Sequence, residues 1–454
     1  MWLLLLLFFI YQMQIDCIDI DTDTDTDYKR IAKAMMPDPK YYSLFPGVKE
    51  QRLANNTIRY LAALSQSSYH QPNGCGNWQS KYKEFHKNMM SGKTPRRFLI
   101  SLPPPQGLAD RLGSVVSQFL LAYFSKRAFL FASGGRTPPL WSTYDYVNID
   151  SRMPPDFMGN ESRTLLNLKF GDYPSRINRD YRCGLYLNAG NDKLNYDIVQ
   201  ARNEKLYLKS DLRLAPEHCP DTEELYVVGN RGFSWSIFQN EYLKEELVSM
   251  GLTRETAFRC VIDFLVQLKP DTCSEGCLST KQQIMSAKLD GKIVIGVQIR
   301  VGDEVFDKGF KLANLKRPPE TKPFQCADNL ELRFKMVGKD SVLFFISDSI
   351  ELRKRVKKRF GDKVITDTSV SMDHVHDGKN GLQAKTDAMK SAASDIHLFS
   401  LAHIHVITQN SGFGQKAAFL SDSSRKIHIY FGANGNDCHL TKYRHNAAEY
   451  WSGV

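Results

Sequence analysis

The feature that most constrains this chain is the alternation of short apolar runs with amphipathic stretches over its last third. In Lys292–Ile299 the residues Ile293, Val294, Ile295, Val297 and Ile299 are apolar and β-branched, which reads as a buried strand. A helix about Asp328–Met336 follows, then a strand over Ser341–Ile346 that ends in Ser347 and Asp348. A basic helix over Ile350–Phe360, a strand at Lys363–Thr366 and a helix over Thr386–Leu401 continue the pattern. A strand at His403–Thr408, a helix at Gly414–Leu420 and a strand at Lys426–Phe431 complete it. Strands separated by helices predict a doubly wound parallel sheet, with its ligand crevice beyond the carboxyl ends of the strands.

A second unit of this kind lies earlier. Phe98–Leu102 reads as a strand and Pro103–Gly107 as a break. Leu108–Ser125 reads as an amphipathic helix with Leu112, Val115, Val116, Phe119, Leu120 and Tyr123 on one side, and Ala128–Ala132 as the next strand. Between the two units, about 135 to 270, the chain is irregular, with a strand at Leu225–Val228 and a helix at Arg254–Leu268. The polar Asp271–Lys288 reads as a linker. The 454 residues, 42% of them hydrophobic, suffice for two cores. The expected organisation is a stem and N-terminal helical region over 16–93, one α/β domain over 94–275 and a second over 285–454. Within the first region Asn56–Gln66 has helical spacing.

The chain starts MWLLLLLFFIYQMQID. This apolar run is shorter than the about 20 residues a membrane span needs, and residues 1–15 fit a signal peptide or a short signal anchor. Either reading sends the rest into the secretory lumen and leaves membrane association to the first segment. Eight cysteines beyond Cys17 form an even set, which in that compartment points to disulfides of unassigned pairing. Cys273 and Cys277 lack a second ligand pair at zinc spacing. The sequons at Asn55 and Asn160 fit the same compartment. Asp19–Asp27, reading DIDTDTDTD, has no core strand before it to hold a D-x-D metal site and reads as a solvated stem. The net charge of +10 comes without a Lys/Arg block interleaved with aromatics, which argues against nucleic acid and is compatible with an anionic ligand.

Candidate site residues lie at strand ends. Arg300 follows the Lys292–Ile299 strand, where a planar guanidinium can meet two oxygens of a diphosphate. The turn Gln409–Gly414 offers Ser411, Gly412, Phe413 and Gly414, combining a hydroxyl with the free N–H groups of a helix start. Gly107 and Arg111 open the long helix of the first unit and suit an anion in the same way, the alternative being a cap by Asp110 beside a surface arginine. Asp348 stands at a third strand end, as a ligand contact at the crevice or as an N-cap of the helix from Ile350. Arg and backbone dipoles can neutralise a departing diphosphate without a metal. Asp303, Glu304 and Asp307 are placed to act as a base. His397, His403 and His405 read as packed or surface residues.

Three blocks carry a family resemblance. Gly107-Leu108-Ala109-Asp110-Arg111-Leu112 is similar to the G-x-G/A-N-R-L loop of the GDP-fucose-dependent fucosyltransferase superfamily, with Asp110 in place of Asn. Ile295-Gly296-Val297-Gln298-Ile299-Arg300 resembles its I-G-[VI]-[HQ]-[IV]-R strand, and the Gln form resembles most the plant-type xyloglucan α-1,2-fucosyltransferases. Asp395–Leu420 resembles the family's helix–strand–S-x-FG segment at Ser411, Phe413 and Gly414. The resemblance covers roughly 96 to 132 and 290 to 431. It departs at Val301, where some relatives carry a second Arg, and at Gly302, which replaces Thr or Phe.

The resemblance implies a GT-B-like α/β fold of two Rossmann-like domains facing a cleft. It implies an inverting, metal-independent transfer of fucose from GDP-fucose to a glycan hydroxyl, with galactose as the expected acceptor sugar and no cofactor. The Golgi lumen is the implied location, as a type II membrane protein. Arg300 is implied on the donor diphosphate, Asp395 at the guanine edge, Ser411 in the phosphate turn, and Asp348 at a donor-domain strand end. The competing readings are another sugar donor on the same fold and a non-catalytic lumenal glycan-binding protein. A sulfotransferase is disfavoured because Pro103–Gly107 does not resemble a phosphosulfate loop.

Overall fold

The computed structural model describes residues 74–102, 107–132, 138–153, 182–187, 207–214, 222–229, 232–302, 321–336, 338–369, 381–408, 411–421, 427–431 and 439–442. They fall in the larger of two units, Gln66–Val454. The expected targeting segment, the expected acidic stem, the expected helix over Asn56–Gln66, both sequons, Asp303, Glu304, Asp307, Gln409 and Asn410 lie outside the described residues.

The first half runs α1 (Trp78–Met90), β1 (Phe98–Leu102), α2 (Leu108–Phe124), β2 (Ala128–Phe131), β3 (Tyr144–Tyr146), β4 (Arg182–Leu187), β5 (Glu224–Gly229), α3 (Arg254–Leu265) and β6 (Val266–Leu268). The second runs α4 (Glu275–Leu289), β7 (Ile293–Ile299), α5 (Thr321–Met336), β8 (Ser341–Ser347), α6 (Ile350–Phe360) and β9 (Val364–Ile365). It continues through α7 (Leu382–Ser400), β10 (Ile404–Thr408), α8 (Gly412–Phe419), β11 (Ile427–Phe431) and β12 (His439–Lys442).

Strands β2-β1-β5-β4 form one sheet, parallel throughout. The second sheet has the order β12-β11-β10-β7-β8-β9 and is parallel except for the β11–β12 pair at its edge. Strands β3 and β6 form a small antiparallel pair. Helices cover both faces of a parallel strand, so all five residues of β1 are buried, as are six of the seven in β7. The mixed α/β architecture with parallel sheets follows the strand–helix alternation of the sequence.

Helix α2 differs from the one-sided helix its pattern suggests. It packs on β1, β2 and β5 and also against α3, α7 and α8, so Ser114, Ser117 and Gln118 are buried along with the apolar face. Ser117 Oγ accepts from the N–H groups of Phe233 and Ser234, and Gln118 Nε2 donates to Ser114 Oγ at 2.7 Å, while Gln118 Oε1 is buried without a partner among the described residues. One apolar core consequently runs through both halves, with Phe258 of α3 against Phe419 of α8.

Four further departures have local causes. Helix α1, grouped by sequence with the stem, belongs to the first core: Trp78 is 1% exposed and lies 5.4 Å from Phe119 and 4.9 Å from Phe264, centroid to centroid. The helix expected to reach Leu268 stops at Leu265, where the chain turns extended and Val266–Leu268 pairs with β3. The expected linker at 271–288 is largely helix α4. Ser274 caps it, accepting from Cys277 N–H, and Cys277, Thr280, Ile284 and Ala287 are buried at three- and four-residue spacing. Strand β12, which no sequence signal marked, adds an antiparallel edge.

Disulfides join Cys75 to Cys260 and Cys273 to Cys277, and Cys326 is also disulfide-bonded. No helix among the described residues is long and apolar enough to cross a membrane.

Candidate functional site

Strands β10, β7 and β8 are neighbours in the second sheet and end side by side. Their carboxyl ends deliver Thr408, Arg300 and Asp348 to one rim. Arg300 is exposed, one residue past a strand of which six of the seven residues are buried.

The backbone that carries Arg300 is held by side chains. Its N–H donates to Thr408 Oγ1 at 2.8 Å. The next two N–H groups, of Val301 and Gly302, donate to Asp348 Oδ1 at 2.9 Å and Oδ2 at 3.2 Å. Gly302 has φ +130°, a conformation that side chains resist. Burial pushes the Asp348 carboxyl above its usual range, while the N–H groups of Val301 and Gly302 and the charge of Arg300 act in the opposite direction. Asp348 does not cap the following helix. Ser349 does, accepting from Leu352 N–H at 3.2 Å.

Gln298 ties β7 to β10 beneath this rim. Its Oε1 accepts from Thr408 N–H at 3.2 Å, and its carbonyl accepts from Thr408 Oγ1 at 3.2 Å. Helix α8 begins directly above. Ser411 is its N-cap, fully buried, accepting from Gly414 N–H at 3.3 Å. Its hydroxyl is thereby engaged in the cap, while Gly412 and Phe413 occupy the first two helical positions. A Cβ on Gly414 would stand 2.6 Å from Gln298 Oε1, so only a glycine lets α8 sit this close to β7. The α8 start and the backbone of Arg300 therefore share one rim, both tied to Thr408, whose carbonyl accepts from Ser411 N–H at 3.0 Å.

Asp395 lies on α7, nearly buried, and both its oxygens are taken by the Arg353 guanidinium. Arg353 also donates to the Ser347 carbonyl through Nε at 2.9 Å and to the Asp367 carbonyl through Nη1 at 3.3 Å. This pair braces the end of β8, immediately before Asp348. No signal in the basic run Ile350–Phe360 separated Arg353 from its exposed neighbours, except its position on the face shared with Leu352 and Val356.

At the first sheet Gly107 is the N-cap of α2, with no side-chain cap hydrogen bond, and Asp110 lies inside the first turn. Arg111 is neither a surface residue nor exposed at the helix mouth. It is 2% exposed, with Nη2 donating to the Pro138 carbonyl at 2.8 Å and Nη1 directed at Met389 Sδ of α7 at 3.2 Å. Burial pushes it down to about 10, opposed by Tyr144. Arg111 thus links α2 to α7 across the two halves. The histidines pack: His403 Nδ1 accepts from Val294 N–H at 2.9 Å, His405 Nε2 meets the Phe399 carbonyl at 3.0 Å, and His397 lies against Tyr144.

No family model matches the chain, and no curated protein matches it. Among solved structures it is similar to a mutant of Arabidopsis thaliana FUT1 in complex with GDP, at 17% identity over 83% of this chain and 79% of that one, TM-score 0.49. It is also similar to NodZ alpha-1,6-fucosyltransferase soaked with GDP-fucose, at 15% identity over 76% of this chain and 98% of that one, TM-score 0.43. A third similarity is to fucosyltransferase NodZ from Bradyrhizobium, at 16% identity over 76% and 98%, TM-score 0.41. Likeness at this level assigns no activity, and the functional reading rests on the chain's own residues.

Proposed function

We propose that this protein is a lumenal glycosyltransferase of GT-B type that moves fucose from GDP-fucose to a glycan hydroxyl, by inversion and without a metal. One observation carries the reading. Arg300 and the N-terminus of α8 converge at the carboxyl ends of adjacent parallel strands, on a backbone pinned by Thr408 and Asp348. That is where an open parallel sheet binds ligands. A guanidinium and a helix start together suit a diphosphate, whose charge grows as the sugar departs.

In this reading Arg300 neutralises the leaving GDP, and the N–H groups of Gly412 and Phe413 take further phosphate oxygens. Ser411 holds that helix start in shape through its cap. A carboxylate from Asp303, Glu304 or Asp307 removes the proton of the acceptor hydroxyl. Gly107 starts α2, and Arg111 fixes that helix against α7, so that the two halves present a common site. The acceptor sugar is galactose and the location the Golgi lumen, with the apolar N-terminal segment as the membrane attachment.

The test is GDP release by the purified full chain from GDP-fucose, across a panel of β-galactose-ended glycans, with and without a chelator. Acceptor-dependent release that survives chelation and falls at least about 100-fold in Arg300→Ala is expected, since removing a preorganised transition-state partner typically costs that much. Release with GDP-mannose but not GDP-fucose changes the donor. GDP binding without release on any acceptor favours a glycan-binding role.

A further inference from the structure

We propose that Asp348 and Thr408 are positioning residues for Arg300, an inference that rests on the reading of Arg300 as the donor-diphosphate ligand. Three consecutive backbone N–H groups, those of Arg300, Val301 and Gly302, are accepted by side chains and not by a neighbouring strand. Strand β7 pairs with β8 up to Ile299 and Ser347, and with β10 up to Gln298 and Ile407. Beyond those points the ladder stops, and the chain leaves the sheet with Gly302 at φ +130°. Glycine takes this φ without steric cost, so its own backbone preference does not fix the turn. Asp348 supplies two of the constraints and Thr408 the third.

Each of these side chains is itself fixed. Thr408 Oγ1 donates to the Gln298 carbonyl at 3.2 Å, which orients its lone pairs toward Arg300 N–H. Asp348 follows Ser347, whose carbonyl is gripped by the buried Arg353, itself paired with Asp395. A path of direct contacts therefore runs from Asp395 through Arg353, Ser347 and Asp348 to the residues flanking Arg300. Both Asp348 oxygens are committed to N–H groups, so this carboxylate is unsuited to act as the base and suited to hold the turn. It replaces Asp348's sequence-based assignment as a direct donor contact with an indirect one.

The test is GDP affinity by calorimetry on the full chain. The variants are Asp348→Asn, Thr408→Val and Thr408→Ser, each also combined with Arg300→Ala. Asp348→Asn removes one acceptor at the turn, Thr408→Val removes the acceptor of Arg300 N–H together with the bond to the Gln298 carbonyl, and each is expected to weaken GDP by about 10-fold. Thr408→Ser keeps the hydroxyl and is expected to stay within about 2-fold of wild type. In the Arg300→Ala background the same changes are expected to add less than about 2-fold, because residues that act through one another are not additive. Full GDP affinity in both single variants, or losses that add independently to Arg300→Ala, overturns the proposal. If Asp348→Asn does not fold, the Thr408 pair decides alone. Wild-type protein that binds no GDP overturns the donor reading and this inference with it. Wild-type binding that Arg300→Ala leaves intact overturns the inference and retains the donor site.

Discussion

Gly414→Ala is expected to loosen the joint between α8 and β7. The added Cβ would lie 2.6 Å from Gln298 Oε1 and 3.1 Å from both Cβ and Cγ2 of Ile407. Ile407 is fully buried in β10 and cannot yield. Gln298 has a longer side chain but is 3% exposed, and its Oε1 is the acceptor for Thr408 N–H. If Gln298 swings away, that half-buried amide loses its partner at a cost of about 1–2 kcal/mol. If α8 shifts instead, overpacking costs about 1–3 kcal/mol. The expected loss is therefore about 2 kcal/mol in chemical denaturation, with GDP affinity reduced because the α8 start moves away from Arg300. A double-mutant cycle with Gln298→Ala isolates the cause. Gln298→Ala alone is destabilising, but in its background Gly414→Ala is expected to cost less than it does in the wild type, since the 2.6 Å contact is gone and only the 3.1 Å contacts with Ile407 remain. A single Gly414→Ala variant within about 0.5 kcal/mol of wild type, with unchanged GDP affinity, refutes the close-approach argument.

Breaking the buried Arg353–Asp395 pair by Asp395→Asn is expected to destabilise the fold by about 3 kcal/mol, because the guanidinium is left without its counter-charge in the core. Arg353→Met combined with Asp395→Leu is expected to recover much of that loss in the same denaturation assay, and no recovery would show that the pair's geometry matters more than its desolvation. Burial pushes His397 and His403 down to about 4 from an ordinary value near 6.5, assisted by Lys281 and Lys288 respectively. Both stay neutral in the fold while the unfolded chain protonates, so stability is complete above about pH 6.5 and is lost as pH falls toward 4, by up to about 1.4 kcal/mol per pH unit for each residue. Urea denaturation between pH 7 and pH 5 measures the slope, His397→Phe is expected to flatten it, and an equal slope in that variant sinks the assignment.

The strands that lie in the middle of a parallel sheet were legible because their burial is symmetric. Phe98–Leu102 and Ile293–Ile299 are covered on both faces, so nearly every residue must be apolar, and composition alone marks them. The ends of those strands were legible for the opposite reason. Arg300 and Asp348 are polar where the run of burial stops, and a charged residue in that place needs either a partner or a ligand. Strands with fewer neighbours left weaker marks. β12 pairs only along one edge, and β6 is three residues long. Helix α4 was hidden because its buried stripe is narrow, with Cys277 and Thr280 standing where larger apolar residues would have shown the period.

The site divides along the same physical line. A residue type announces what it can do to a ligand, but whether it faces one depends on contacts far away in sequence. Asp395 is met by Arg353, 42 residues distant, and Arg111 by Met389, 278 residues distant. Neither distance leaves a periodicity or a motif, so both residues read as ligand contacts until the packing is known. Thr408 and Gln298 err in the other direction. They lie in apolar strands and look like defects in them, yet each satisfies a backbone group that the sheet leaves open. Buried polar groups are costly unless paired, so a lone polar residue at the end of a core strand is better read as the partner of a specific backbone amide than as tolerated noise. Applied here, that rule selects Gln298, Thr408 and Asp348 together. It separates the residues that shape the rim from Arg300, which stands exposed upon it.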